Sequence, residues 1–159
     1  MNDLEKYNFM REAIMLSNEN VDKNMAPFGA VIVLGSKIIG TGTSQVQHLN
    51  DPTAHAEIMA IRDACNKIGN YRLYESAIFT TSEPCPMCYG AILWAGIDRI
   101  YYGNSIQDTS KIGYNDKVFY EQYSILKDLR MVPAFQILGD EAILTFARWQ
   151  ELKRYEFNI

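Results

Sequence analysis

The chain has 159 residues, enough for one domain with a sizeable hydrophobic core, and its 48% apolar and 21% charged residues are ordinary for a globular protein. A net charge of −4 and a pI of about 5.2 lack the basic excess of a polynucleotide-binding surface. No apolar run approaches a membrane span, and three cysteines make no disulfide framework, so a reducing cytoplasm is expected.

Leu4, Tyr7, Met10 and Ile14 recur at helical spacing and predict an amphipathic helix ending near Asn20, with none of a signal peptide's basic start. A loop over 24–27 leads to two strands, 30–34 and 37–43, joined by Gly35-Ser36, a two-residue hairpin signal. Phe28 stands just before the first strand, where position alone suits core packing. A polar loop, 44–50, carries His48, read as an ordinary surface or core residue rather than a ligand. Asp51-Pro52-Thr53 then has the cap-then-proline form that opens a helix running to about Gly69, with Cys65 as buried filler among Ile58, Ile61 and Ile68. A strand over 77–81 delivers Glu83-Pro84-Cys85, a helix begins at Pro86, and 97–102 reads as another strand. Strand, helix and strand in succession predict parallel pairing, which starts both helices on one side of the sheet, where α/β proteins build their sites.

The stretch 104–128 resists assignment. It contains a polar turn at Gly113-Tyr114-Asn115-Asp116, in which Asp116 alone would read as a helix cap. A last strand is expected over 134–138 and a last helix from Asp140, carrying Phe146, Trp149 and Leu152. The densest basic pair, Lys153-Arg154, is offset by Glu151 and Glu156, and the aromatic tail with Tyr155 and Phe157 is expected to dock rather than fray.

Two short runs carry the chemistry: His55-Ala56-Glu57 and Glu83-Pro84-Cys85-Pro86-Met87-Cys88. Cysteines three apart on a helix share a face, and the helix N-terminus favours thiolate. A zinc ion held by one nitrogen and two sulfurs keeps a fourth position for water, the catalytic arrangement. His55 and Glu57, at i and i+2, are poorly placed to bind one ion together, so His55 is assigned to the metal and Glu57 to proton transfer. Alone, Cys-x-x-Cys also fits a redox motif and a lone His fits ordinary packing. Together the two runs match the zinc-deaminase pattern.

On these motifs the chain resembles the cytidine deaminase superfamily and, within it, the bacterial guanine deaminases. The likeness extends over Pro27-Phe28-Gly29-Ala30-Val31-Ile32-Val33, Asn50-Asp51-Pro52-Thr53, Ile61-Arg62, Gly90-Ala91-Ile92, Trp94-Ala95 and the segment 114–119. It implies a three-layer αβα sandwich around a mixed five-stranded sheet, a single domain over 1–159, and a homodimer that exchanges a C-terminal segment from about 134. It implies that Phe28 stacks on the purine, Trp94 lines the pocket, the Ala56 N–H binds the base's carbonyl edge and Asp116 accepts hydrogen bonds from guanine. Two departures touch recognition. Ser44-Gln45 stands where the family has an Asn pair, and Asn158 aligns with the family's pocket-closing Tyr, leaving Tyr155 and Phe157 as shifted candidates.

The expected activity is zinc-dependent hydrolytic deamination of a small nucleobase, guanine to xanthine with release of ammonia. The alternatives are another amino-heterocycle (a guanine nucleoside, cytosine, a pterin or a triazine), tRNA adenosine, and a zinc-binding module without turnover. No membrane partner is expected, and the acidic balance disfavours nucleic acid.

Overall fold

A capping box opens the first helix, α1 (Asp3–Asp22). Asn2 Oδ1 accepts the Glu5 N–H at 2.9 Å, and Glu5 Oε2 accepts the Asn2 N–H at 2.8 Å. The buried stripe of α1 differs from the one its apolar spacing predicts. Ala13, Ser17 and Asn20 lie inside, whereas Leu4, Tyr7 and Ile14 are exposed. The reason is close approach. A Cβ on Gly29 would stand 2.4 Å from the Ala13 carbonyl, so helix and strand meet backbone to backbone and only small side chains fit between them.

The computed structural model describes residues 1–151, which fall into two compact units, Met1–Tyr120 and a second that begins at Glu121. In the first unit, α1 is followed by β1 (Gly29–Leu34), β2 (Lys37–Thr43), α2 (Val46–Leu49) and α3 (Ala56–Ile68). Then come β3 (Ser76–Ser82), α4 (Pro86–Ala95), β4 (Arg99–Asn104) and α5 (Ile106–Lys111), and α6 (Lys117–Tyr123) spans the boundary between the units. The sheet order is β2-β1-β3-β4, with β1 antiparallel to both neighbours and β3 parallel to β4. β2 and β3 therefore run the same way, and α3 and α4, which follow them, start at the same end of the sheet, as the strand–helix–strand order predicts.

Alternation along the strands splits the core between the two faces. Ala30, Ile32 and Ile78 pack with Ala56, Ala60 and Ala64 of α3 and Ile92 of α4. Val31, Val33 and Phe79 pack with Phe9, Met10 and Leu16 of α1, and Phe79 stacks on Tyr101 at 4.7 Å. Helices thus cover both faces of a mixed sheet. Gly69 and Gly96, at φ +65° and +70°, close α3 and α4 in the left-handed conformation that glycine adopts without steric penalty.

Three local expectations are corrected. The loop 44–50 contains the short helix α2. Asp51 does not cap a helix; its carboxylate accepts the Thr53 N–H at 2.8 Å in a local turn, and α3 starts at Ala56. The unassigned stretch 104–128 carries α5, α6 and the start of a 3-10 turn, Lys127–Leu129.

Four strands, not five, form the sheet among the described residues, because 134–138 pairs with no strand. In this second unit Phe135 and Ile137 are 75% and 80% exposed. Apolar alternation makes a strand only when another edge satisfies its backbone and one face is covered. The last helix forms as α7 (Gly139–Glu151), with Phe146 exposed; Leu152 lies outside the described residues.

Candidate active site

His55 and Cys85 are the N-cap residues of α3 and α4, in extended backbone conformations, and neither side chain makes a capping hydrogen bond. Each side chain is consequently free to face its counterpart across the sheet end. Pro86 occupies the first helical position, where its missing N–H costs nothing, and Cys88 follows two residues later. The result is a cluster in which one donor atom each from His55, Cys85 and Cys88 lies within 4.8 Å of the others.

These donors fit zinc. His55 Nδ1 and Cys85 Sγ are 3.8 Å apart, close to the roughly 3.5 Å that a tetrahedral ion with Zn–N of ~2.0 and Zn–S of ~2.3 Å requires. Three protein donors of this type leave a fourth position open. Glu57 stands beside the cluster without joining it. It is 6% exposed, accepts the Thr80 hydroxyl at 3.1 Å and faces Cys88 Sγ at 3.5 Å. Burial pushes its carboxyl up from the usual carboxylate range.

The thiols share a proton unequally. The hydrogen bond from Cys88 draws Cys85 down to about 4, while the same bond and burial push Cys88 up. His55 is raised, first by its hydrogen bond to Cys85. Cys85 is therefore a thiolate at neutral pH, whereas Cys88 must release a proton to bind a metal, and His55 too where it is protonated. Zinc affinity should rise with pH by about tenfold per unit for each proton released. Competition with a chromophoric chelator between pH 6 and 8 measures this; a flat profile would contradict the assignment.

A cavity of about 210 Å³ opens over this cluster. Phe28, Ser44, Ala56 and Asp116 line it with His55, Glu57 and Cys85, so the structure gathers these sequence candidates in one place. Phe28 packs against the core, as its position alone suggests, and also lines the cavity, its ring in T-shaped contact with that of Tyr114 at 4.9 Å. Ala56 is the first residue of α3, where backbone N–H groups lack intrahelical partners. Burial and the Cys85 charge raise the Asp116 carboxyl.

Trp94 is not among the lining residues; it is 59% exposed on the outer side of α4. Tyr155 and Phe157 lie outside the described residues. Sequence reasoning did not single out Glu83, Gln47 or Met25, which also line the cavity, nor Thr80 beneath Glu57. Only the position of Glu83, two residues before Cys85, signals its place.

A family model for the cytidine and deoxycytidylate deaminase zinc-binding region matches residues 4–104. The chain is 38% identical to a guanine deaminase of Bacillus subtilis (strain 168), over 89% of this chain and 92% of that protein. The X-ray structure of guanine deaminase from Bacillus subtilis superposes with a TM-score of 0.92 at 36% identity, covering 100% of both chains. A tRNA-specific adenosine deaminase of Haemophilus influenzae is 36% identical over 94% of this chain and 86% of its own. A solved structure from work on tRNA:A34 deaminases superposes with a TM-score of 0.62 over 64% of this chain and 78% of that one, at 40% identity.

Proposed function

We propose that this chain, which belongs to the cytidine and deoxycytidylate deaminase family, hydrolyses the amino group of a free nucleobase, guanine to xanthine plus ammonia. One observation carries the reading. A proton-transfer carboxylate, the zinc donors and an aromatic wall share a single small cavity. When bound, zinc supplies a Lewis acid with one coordination position left for water.

The chain's own residues do the rest. Glu57 takes one proton from the water as it attacks and passes it to the ring nitrogen, then carries the second from the new hydroxyl to the departing amine, so water's oxygen replaces nitrogen on the ring carbon and ammonia leaves. Phe28 stacks on the flat ring, and the Ala56 N–H meets its carbonyl edge. Asp116 accepts hydrogen bonds from the ring's N–H groups, and Ser44 Oγ offers a further polar contact. The cavity is smaller than the ~300–1,000 Å³ typical of drug-sized ligands, which favours a free base over a nucleotide. Its described lining includes Glu57, Glu83 and Asp116 and no Lys or Arg, which disfavours a phosphate.

The test is an ammonia-release panel covering guanine, guanosine, cytosine, adenine, a pterin and a triazine, with wild type beside Ser44→Asn. Guanine is expected to turn over, and Ser44→Asn to keep or improve it. Inert guanine with another active ring would transfer the assignment to that ring; zinc without any ammonia would favour a binding module. The tRNA reading draws on the Haemophilus influenzae relative, and the anionic lining opposes it. Salt-sensitive binding of tRNA would reinstate it.

We also propose a homodimer in which the segment from about 134 is exchanged. Supporting this, β4 pairs on only one side among the described residues, and Leu93 and Trp94 of α4 are exposed. In the other unit, Val132, Phe135, Ile137 and Phe146 are each more than 65% exposed. The fifth strand would then be 134–138 of a second copy, with Trp94 covered by that copy and Tyr155 or Phe157 closing the partner's pocket. Ile137→Asp should sediment as a monomer with zinc retained and activity lost; an active, dimeric variant would remove the segment from the interface. The free thiols at the site suit a reducing cytoplasm, and no helix among the described residues is long and apolar enough to cross a membrane.

A further inference from the structure

Asn20 is the last inward-facing residue of α1 and is 2% exposed. Its side chain ties together segments far apart in sequence. Asn20 Nδ2 donates to the Ala26 carbonyl at 2.8 Å and to the Ser44 carbonyl at 3.1 Å. Its Oδ1 accepts Gln45 Nε2 at 3.5 Å, and Gln45 is itself anchored to Thr43 Oγ1 at 2.8 Å. The Asn20 carbonyl also accepts the Met25 N–H at 3.0 Å.

The two tied segments both line the cavity. Met25, Ala26 and Phe28 line it from the loop before β1; Ser44, Val46 and Gln47 line it from the turn after β2. One direct bond links them, from the Ser44 N–H to the Phe28 carbonyl at 3.1 Å. Gln45 is turned away from the cavity, toward Asn20 and Thr43. That leaves Ser44 as the polar side chain this pair of residues presents to the cavity. Ser44 is 5% exposed and lines the cavity.

We propose that Asn20 is a positioning residue of the substrate pocket: by holding the Ala26 and Ser44 carbonyls on one amide, it sets the gap between the Phe28 ring and the Ser44 hydroxyl. It therefore governs affinity for the ring rather than the rate of its chemistry, because His55, Glu57, Cys85 and Cys88 are placed by α3 and α4. This rests on the deaminase reading of the cavity.

The test measures guanine binding by calorimetry in zinc-loaded Glu57→Gln protein, where no turnover intervenes, with and without Asn20→Leu. Leu approximates the amide's volume but carries no hydrogen-bonding group. A buried amide that loses its role is expected to weaken binding about tenfold or more. With Glu57 intact, Asn20→Leu should raise KM by a similar factor and keep kcat within about twofold, with stoichiometric zinc. Gln45→Leu leaves both Asn20 carbonyl bonds in place and should shift affinity the same way by less.

Unchanged affinity in folded, zinc-loaded Asn20→Leu protein would overturn the proposal, as would a loss confined to kcat. Should Asn20→Leu fail to fold, Asn20→Ala decides, since it removes the same two donated bonds without adding bulk: weaker binding supports the proposal and unchanged binding overturns it. If Glu57→Gln protein alone does not bind guanine, the substrate reading fails and not this one. The same titration is then run with whichever ring the wild type deaminates.

Discussion

Replacing Glu57 by Gln should lower kcat by about 10²–10⁴-fold while zinc stays bound and the fold is unchanged. The side chain is buried, with Thr80 donating to Oε1 at 3.1 Å and Cys88 Sγ at 3.5 Å from Oε2. Glutamine keeps the shape and the acceptor for Thr80 but cannot take a proton. Because burial already disfavours the charged carboxyl, losing it should leave the melting temperature equal or higher. The pH dependence has a definite sign. A base must be deprotonated, so kcat/KM falls as pH drops through the Glu57 pKa, and burial moves that acidic limb up from the usual carboxylate range. Steady-state kinetics from pH 4 to 9, with metal analysis of both proteins, would check each part. A Gln variant with full turnover would assign the proton transfer to another group.

Gly42→Ala is expected to damage both stability and zinc affinity, although Gly42 touches no metal ligand. A Cβ there would lie 2.3 Å from the Ala56 carbonyl and 2.4 Å from the Ala60 nitrogen. Both are backbone atoms of α3, so the helix itself must move. Gly40 makes an equally close approach, 2.5 Å from the Ala60 carbonyl and 2.6 Å from the Ala64 Cβ. The two glycines and the alanines of α3 thus form a seam that presses the helix onto β2. Overpacking of this kind costs about 1–3 kcal/mol, occasionally more. Since His55 caps α3 and Glu57 follows, displacement also spreads the metal donors. Gly90→Ala is the control. Its Cβ meets nothing within 4 Å, in the middle of α4, so it should stabilise by about 0.5–1 kcal/mol. Denaturation midpoints and zinc competition would compare them, and equal behaviour would remove the seam from the account.

The convergence of His55, Cys85 and Cys88, with Glu57 beside them, is legible because their spacing coincides with helix starts. Proline after Cys85 marks the beginning of α4, and a strand precedes it. Strand, helix and strand in order then require parallel pairing, which brings both starts to one sheet end. The hairpin at Gly35-Ser36 was legible for a related reason: its signal lies within a few residues of chain.

The inward face of α1 was not. Its apolar spacing points to Leu4, Tyr7 and Ile14, yet the sheet selects Ala13, Ser17 and Asn20 because Gly29 lets the backbones touch. The stretch 134–138 has the alternation of a strand but no edge to pair with in its own unit. Asn20 likewise looks like an ordinary polar residue near a helix end until Ala26 and Ser44 converge on its amide.

The chain's chemistry was therefore written in its order. Residue types at short spacing decide which atoms can bind a metal or carry a proton, and local backbone preferences decide how those atoms are presented. The tertiary structure alone decided which segments meet to line the cavity, how tightly α3 sits on the sheet and which apolar residues stay uncovered. Those properties depend on contacts between segments distant along the chain, and no local pattern encodes the separation at which two such segments come to rest.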